Sequence, residues 1–274
     1  MSKIESFEIS IPQLGRSRTV WVYLPDNYAP QGEPLPVIYM QDGQNLFYDK
    51  LTANGMSWHV DKTLDAIFKN TGRSAIVIGV ESNDKHRFSE YSPWKIGASA
   101  LKEVRDVAKG GNRGGEGKKY AEFFAKTLKP TIDAKYNTDK ARNATAIIGS
   151  SMGAFISCYI GLTYQRIYET VGLFSIATHF NQTSFDRFLK STLQTLPQHA
   201  LVYCGGSECE LAKHQALVTF GTLKTYNALA KRNVVAELLL SSEMKHNERA
   251  WEIYFRKFAY DFLERYEQFK QTQR

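Results

Sequence analysis

The stretch Ala144–Leu162, ATAIIGSSMGAFISCYIGL, decides the fold of this 274-residue chain. Its first part, Ala144–Ile148, is an apolar run typical of a strand that is buried on both faces of a parallel sheet. Its last part, Met152–Leu162, consists mainly of small and apolar residues and predicts a helix. The segment between them, GSSMG, has the pattern Gly-x-Ser-x-Gly, which predicts a sharp turn from strand to helix. Such a turn lifts its middle residue, Ser151, above the carboxyl end of the sheet.

Outward from this turn, short apolar runs alternate with patterns of helical spacing. The predicted strands are Phe7–Ile11, Thr19–Leu24, Pro36–Met40, Ala75–Val80, Ala144–Ile148, Val171–Ile176, Ala200–Tyr203 and Val234–Leu240, and the predicted helices are Trp58–Phe68, Tyr120–Lys135, Met152–Leu162, Leu211–Lys231 and Glu248–Gln268. The first two strands are bounded by turn residues, which predicts an antiparallel hairpin. The remaining alternation predicts an α/β fold with a mostly parallel central sheet and helices on both faces.

The composition narrows the class of protein. Hydrophobic residues make up 43% of the chain and charged residues 23%, which is typical of a globular protein rather than a disordered one. No apolar run approaches the ~20 residues of a membrane span, and MSKIESFEIS lacks the apolar core of a signal peptide. The three cysteines are too few for a disulfide framework and form no C-x-x-C pair. We therefore expect a cytoplasmic protein without a membrane partner, metal or other cofactor.

The net charge of +7 is scattered along the chain, so we expect no nucleic-acid partner. No internal repeat or low-complexity linker appears, which predicts one domain, 1–274, with an irregular loop or lid at about 83–119. The glycine-rich part of that loop, KGGNRGGEGKK, is not a phosphate loop, because Lys119 stands where Ser or Thr is required. Long loops of this kind are usually functional or disordered. We expect this one to cover a cleft, and a solvated excursion is the alternative.

A serine at such a turn becomes a nucleophile only beside a general base. In this fold order the base follows the turn, which leaves four of the six histidines: His179, His199, His214 and His246. We assign the base to His246, because it lies after the last predicted strand, in a loop that opens towards the same sheet edge as Ser151. The neighbouring hydroxyl of Ser150 does not occupy the middle position of the pattern.

The acid that orients the base is expected on a loop between these two residues. The segment YCGGSECE follows a predicted strand and offers two carboxylates, Glu208 and Glu210. We prefer Glu208, since Glu210 stands just before the next predicted helix, where a negative side chain is favoured. Either residue remains a candidate at this point.

Two backbone N–H groups are expected to hold an oxyanion, one after the nucleophile and one after an early strand. The first is that of Met152. The second comes from QDGQN, directly after the predicted strand Pro36–Met40, and we choose Gln44. In the alternative interpretation, Asp42 and Gly43 form only a turn.

These pieces together carry a resemblance. The segments VIYMQDGQNLF, AIVIGVE, RFSEYSPW, AIIGSSMGAF, YCGGSE and KHNERAW resemble, in this order, the putative-esterase family of α/β-hydrolases. The resemblance runs from about Arg18 to Leu263. The family includes esterase D, enterochelin-type siderophore esterases, feruloyl and acetylxylan esterases, and mycolyltransferases. The sequence departs from esterase D in its acid segment and lacks a cysteine-rich oxyanion segment, and RFSEY looks more like the siderophore and carbohydrate branches.

By this resemblance the chain is a metal-independent serine esterase with an α/β-hydrolase fold. Its expected triad is Ser151, His246 and Glu208, its oxyanion hole is formed by the N–H groups of Gln44 and Met152, and an acyl-enzyme is its intermediate. The expected substrate is a small carboxylic ester of carbohydrate, aromatic or siderophore type. An acyltransferase and a catalytically silent binding protein are the alternatives, and the oligomeric state is open. Four residues are expected to border the substrate: Asp42, Arg87, Tyr91 and Trp94.

Overall fold

A computed structural model of the protein describes residues 1–52, 54–97 and 113–273. Within these residues, eight strands form one sheet in the order β1-β2-β4-β3-β5-β6-β7-β8. Their bounds are β1 Lys3–Ile11, β2 Arg16–Leu24, β3 Val37–Gln41, β4 Ile76–Val80, β5 Thr145–Ser150, β6 Thr170–Phe174, β7 Gln198–Gly205 and β8 Val234–Ser241. The pairs β1–β2 and β2–β4 are antiparallel, and the other neighbours are parallel. The predicted N-terminal hairpin and mostly parallel sheet are therefore confirmed.

Helices cover both faces of the sheet, as predicted. They are α1 Val60–Thr71, α2 Arg87–Glu90, α3 Gly117–Phe123, α4 Lys129–Lys135, α5 Met152–Thr163, α6 Gln182–Ser191, α7 Ala212–Ala230 and α8 Glu248–Gln273, with a π-helical turn, Phe124–Leu128, between α3 and α4. One face is covered by α1 and α8, through apolar side chains that include Leu64, Ile67, Phe255 and Phe258. The other face is covered by α3 to α7, through Tyr120, Ile132, Phe155, Phe185 and Leu229 among others.

The middle of the chain differs from the sequence prediction in several places. The short helix α2 lies in the segment expected to be an irregular loop, 83–119, and a π-helical turn interrupts the predicted helix Tyr120–Lys135. Strand β6 ends at Phe174 rather than at Ile176, because Ser175 has a left-handed backbone (φ 52°) that turns the chain out of the sheet. Helix α6 was not predicted at all. Its apolar residues are Phe185, Phe188 and Leu189, of which Phe185 and Leu189 are buried, and the rest of the helix is polar.

The carboxyl ends of the parallel strands form a single edge, and the loops that leave this edge carry the residues of interest. Asp42 follows β3, Ser151 follows β5, Ser175 follows β6, Glu208 lies in the loop after β7 and His246 lies in the loop after β8. Because adjacent parallel strands end next to one another, segments that are far apart in sequence meet at this edge.

Candidate active site

Ser151 occupies a strained backbone conformation between β5 and α5. Its φ of 56° and ψ of −122° lie in a region that residues with a side chain rarely adopt. Neighbouring backbone holds it there: the N–H of Ser151 donates to the Phe174 carbonyl at 2.8 Å, and its carbonyl accepts from the N–H of Ala177 at 3.2 Å. The turn predicted from the Gly-x-Ser-x-Gly pattern is thus present. Its two backbone hydrogen bonds join it to the end of β6 and to the residues that follow that strand.

The first glycine of this pattern is required by close packing. A Cβ atom on Gly149 would lie 2.5 Å from the backbone carbon and oxygen of Gly153, so a side chain at Gly149 would push the helix away from the strand. Only one of the two adjacent serines reaches the surface, since Ser150 is buried and Ser151 is partly exposed.

A carboxylate and an imidazole meet beside this turn. The Oε2 atom of Glu208 lies 3.1 Å from Nδ1 of His246, and the Glu208 side chain is fully buried while that of His246 is 32% exposed. Glu210 is exposed, and within the described part of the chain no hydrogen bond joins it to His246. Of the two candidate acids, the structure brings Glu208 to the imidazole. The described residues contain no hydrogen bond between the hydroxyl of Ser151 and His246, a contact that often tightens only when substrate binds.

The loop that carries Glu208 is packed directly on the loop after β8. A Cβ atom on Gly205 would lie 2.2 Å from the Met244 carbonyl oxygen, so glycine alone fits at this contact. The side chain of Gln215, in α7, accepts from the N–H groups of Glu208 at 2.7 Å and Cys209 at 3.1 Å. The acid and the imidazole are therefore held by segments that are themselves in contact.

Two further residues belong to this cluster and were not assigned a role from the sequence. The hydroxyl of Ser175 donates to Oε1 of Glu208 at 2.5 Å, and the indole N–H of Trp251 donates to Ser175 Oγ at 2.9 Å. The Trp251 ring also packs edge-on against the His246 ring, with 5.0 Å between the ring centroids. Trp251 stands in the motif KHNERAW, which was the one available signal, whereas nothing in the sequence pointed to Ser175.

The two amides predicted to hold an oxyanion lie in segments that touch each other. Met152 is the first residue of α5, and Gln44 lies in a short 3-10 helix, Gly43–Asn45, after β3. A Cβ atom on Gly153 would lie 3.2 Å from Oδ2 of Asp42, so the start of α5 packs against the β3 loop. Among the described residues, neither amide N–H has a hydrogen-bond acceptor. The Gln44 side chain is fixed by Ser82, whose hydroxyl and N–H it contacts at 2.8 and 3.0 Å.

The loop after β3 is held by an ion pair between its first residue, Asp42, and Arg87. Asp42 has a left-handed backbone (φ 55°), and its carboxylate accepts from Nε and Nη2 of Arg87 at 2.7 and 2.9 Å. The Tyr91 hydroxyl accepts from the Asp42 N–H at 3.1 Å. Burial alone would raise the pKa of Asp42, but the charge and hydrogen bonds of Arg87 hold this pKa below its usual value. The carboxylate therefore stays ionised.

The four residues expected to border the substrate do not form one group. Asp42, Arg87 and Tyr91 are together, but Tyr91 is fully buried beneath Asp42, so its side chain supports the loop and does not reach a surface. Trp94 packs against three aromatic rings, those of Phe155, Tyr159 and Phe188. Residues 98–112 of the expected cover, 83–119, lie outside the described residues.

Glu248 is a further buried carboxyl near this edge. It is the first residue of α8, is 5% exposed, and accepts from the Asn45 amide at 3.4 Å. Burial raises the pKa of Glu248. The residue links the helix after His246 to the loop that contains Gln44.

The described ranges contain neither a metal-binding cluster nor a membrane-spanning helix. Within residues 1–52, 54–97 and 113–273, no three His, Cys, Asp or Glu side chains are arranged to hold a metal ion. Over the same part of the chain, no helix combines the length and the apolar character needed to cross a bilayer.

The strand order and the strained serine between β5 and α5 are those of an α/β-hydrolase. A family model described as "Putative esterase" matches residues 11–254, and the chain belongs to that family. The chain is also 27% identical over 160 residues to the uncharacterized protein YbbA of Bacillus subtilis (strain 168), and the match covers 58% of this chain and 56% of YbbA. The aligned part thus spans little more than half of that relative.

Two solved structures share the fold. An IroE-like serine hydrolase from Shewanella oneidensis superposes with a TM-score of 0.73 at 16% identity, over 94% of this chain and 79% of the other. The enterobactin esterase FES from Shigella flexneri superposes with a TM-score of 0.71 at 12% identity, over 97% of this chain and 59% of the other. At these identities the likeness establishes a common fold.

Proposed function

We propose that the protein is a serine esterase that hydrolyses small carboxylic esters through an acyl-enzyme. The observation that carries this proposal is the contact of 3.1 Å between Glu208 and His246, on loops next to the strained turn at Ser151. Membership of the putative-esterase family supports ester chemistry in particular. A buried carboxylate, a partly exposed imidazole and a partly exposed hydroxyl are the three groups that this chemistry needs.

In the proposed mechanism, the Ser151 hydroxyl attacks the ester carbonyl carbon while Nε2 of His246 takes the hydroxyl proton. The carbonyl oxygen becomes an oxyanion, which accepts hydrogen bonds from the N–H groups of Met152 and Gln44. Glu208 stabilises the imidazolium through Nδ1. The imidazolium then protonates the departing alcohol as the C–O bond breaks, which leaves the acyl group on Ser151. Water attacks this acyl-enzyme with His246 again as the base, and the acid is released.

The substrate is proposed to be a small-molecule ester of carbohydrate, aromatic or siderophore type. The FES likeness supports the siderophore type, since that relative is named for enterobactin. The proposed location is the cytoplasm, where the three cysteines, free in this structure, would stay reduced. Initial rates on 4-nitrophenyl acetate, methyl ferulate, acetylated xylan and enterobactin would rank these classes.

The nucleophile is tested by Ser151→Ala, with Ser150→Ala as the matched control. Ser151→Ala should lower turnover of 4-nitrophenyl acetate by about 10⁴–10⁶-fold, the range found when a serine hydrolase loses its nucleophile. A fluorophosphonate probe should label the wild type and Ser150→Ala at Ser151, and should leave Ser151→Ala unlabelled. Labelling of Ser150, or turnover that survives in Ser151→Ala, contradicts the proposal.

A further inference from the structure

Ser175 has a left-handed backbone conformation, which glycine adopts more easily than serine. Its hydroxyl nevertheless both donates and accepts a hydrogen bond. Its φ is 52°, it is completely buried, and its N–H donates to the Tyr203 carbonyl at 2.7 Å. Its hydroxyl makes both of the side-chain contacts described above, to Glu208 and to Trp251. The strained residue therefore places a hydroxyl between the acid and the last helix.

The direction of these two hydrogen bonds is fixed by chemistry. An indole N–H can only donate, so Ser175 Oγ must accept from Trp251. The hydroxyl proton of Ser175 is then directed to Oε1 of Glu208. The Gly205 N–H donates to the same oxygen at 2.6 Å. Two donors thus saturate Oε1, and the other oxygen, Oε2, is left facing Nδ1 of His246.

Trp251 acts on both partners of the acid–base pair, on Glu208 through the Ser175 hydroxyl and on His246 by direct ring contact. It orients the Ser175 hydroxyl through its N–H, and its ring limits rotation of the His246 ring, which it meets at an interplanar angle of 83°. The indole is 5% exposed and is itself packed against Trp58, with 5.6 Å between the ring centroids. The packing against Trp58 therefore also restrains the indole.

We infer that Ser175 and Trp251 are positioning residues that hold the Glu208 carboxylate in the orientation His246 requires. Neither residue touches the reacting atoms; both act through Glu208, and Trp251 also acts through the imidazole ring. This inference rests on the proposed function, because it assigns a role within the same acid–base pair. It predicts an effect on the chemical step and none on substrate binding.

Ser175→Ala removes one of the two donors to Oε1 and leaves the backbone in place. It should lower kcat on 4-nitrophenyl acetate by about 10–100-fold, as expected for a lost hydrogen bond to a charged group, with KM unchanged. Trp251→Phe keeps an aromatic ring but loses the N–H, and should lower kcat by a smaller factor, about 3–10-fold. Trp21→Phe is the matched control, because it also removes an indole N–H that donates a hydrogen bond, here to the Glu81 carboxylate at 2.8 Å, and it should leave kcat unchanged.

The decisive measurement repeats Ser175→Ala in a Glu208→Gln background. If Ser175 acts through Glu208, the second substitution should change kcat by less than about two-fold there, since interacting sites are not additive. A full 10–100-fold loss in that background would mean that Ser175 acts by another route, and would overturn the inference. Wild-type kcat in both Ser175→Ala and Trp251→Phe would overturn it as well.

Separate control experiments test whether a variant folds and whether the proposed function is correct. Melting temperatures identify a variant that fails to fold, and Ser175→Gly, which suits the left-handed backbone, replaces Ser175→Ala in that case. Substantial turnover in Ser151→Ala would contradict the proposed function itself. Loss of turnover in Ser151→Ala, together with normal kcat in the Ser175 and Trp251 variants, would contradict the inference alone.

Discussion

Two buried carboxylates, Asp42 and Glu208, lie at the same edge of the sheet, but they differ in the groups that they contact. Asp42 follows β3 and is clamped by both Nε and Nη2 of Arg87. Glu208 follows β7, and among the described residues no arginine or lysine forms an ion pair with it. Its carboxylate contacts the Ser175 hydroxyl, the Gly205 N–H and the His246 imidazole. Both side chains are nearly inaccessible to solvent. Burial therefore does not distinguish the two sites, but the partners do.

The difference between these partners shows how the neighbours of a carboxylate determine whether it fixes a loop or interacts with a group that changes charge. A guanidinium is always charged, so the Asp42–Arg87 pair keeps the same charges throughout a reaction and serves to fix the β3 loop. In the proposed mechanism the His246 imidazole takes up and returns a proton, so Glu208 has an ionic partner only while His246 holds that proton. We therefore expect the Asp42–Arg87 pair to act as a static clamp and Glu208 to respond to the proton on His246. The predictions below test this expectation.

The largest effect is expected at Glu208, from Glu208→Gln. The amide oxygen should keep the two donors on the Oε1 side, which turns the NH₂ group towards Nδ1 of His246. A donor at that position selects the tautomer with the proton on Nε2, which cannot accept the Ser151 proton. Turnover of 4-nitrophenyl acetate should fall by about 10³–10⁴-fold, the size of effect seen for an amide in place of a triad acid.

Melting temperature is the control for Glu208→Gln, because the substitution preserves shape and should leave the fold intact. A loss of less than ten-fold with a normal melting temperature would remove Glu208 from the triad. It would also end the contrast with Asp42, since neither carboxylate would then respond to the chemistry.

An intermediate effect is expected from Arg87→Ala, and it should appear first in stability. The substitution leaves the Asp42 carboxylate buried without its counter-ion. The free energy of unfolding should fall by about 2–3 kcal/mol, below the ~3–5 kcal/mol typical of a fully buried pair, because the Arg87 side chain is 26% exposed. Turnover should fall by about 10–100-fold as the Gln44 N–H is displaced, less than the loss of a whole oxyanion donor. Urea unfolding and initial rates measure the two effects.

The hypothesis that the Asp42–Arg87 ion pair fixes the loop after β3 has a separate control and can be contradicted separately. Lys85→Ala removes an exposed cation from the same segment and should change neither stability nor turnover. The double variant Asp42→Asn/Arg87→Ala removes the stranded charge and should recover part of the lost stability without recovering turnover. Unchanged stability in Arg87→Ala would show that the ion pair does not fix the loop.

The sequence was informative where the signal is local. The turn at Ser151 could be predicted because five consecutive residues, flanked by a strand and a helix, specify it. The alternation of apolar runs specified the mixed sheet, and it missed the short helix α2 and the polar helix α6. His246 could be proposed from chain order alone, and the structure places it beside Glu208. The catalytic roles of these residues remain predictions.

The sequence was uninformative where a residue depends on a tertiary contact. Ser175 lies in no motif, and its contact to Glu208 exists only because β6 and β7 are neighbours in the sheet. Tyr91 was expected at a pocket because it lies in the segment RFSEY of the long loop 83–119, but its hydroxyl is used by Asp42 and its ring is buried. A residue type can suggest a function, whereas its exposure is decided by packing that the sequence does not display.

The smallest effect is expected at Glu210, an exposed carboxylate that serves as a reference for the two buried ones, Asp42 and Glu208. It is exposed and stands just before Leu211, the residue that caps α7. Glu210→Gln should leave turnover within about two-fold of wild type, because an exposed charge two residues beyond Glu208 has no fixed contact with His246. The free energy of unfolding should fall by about 0.3 kcal/mol at most, the lower end of the helix-dipole effect. Initial rates and urea unfolding, measured beside Glu208→Gln, test both expectations. A severe loss of turnover in Glu210→Gln alone would move the acid role to Glu210, and would mean that the buried contact of Glu208 is structural.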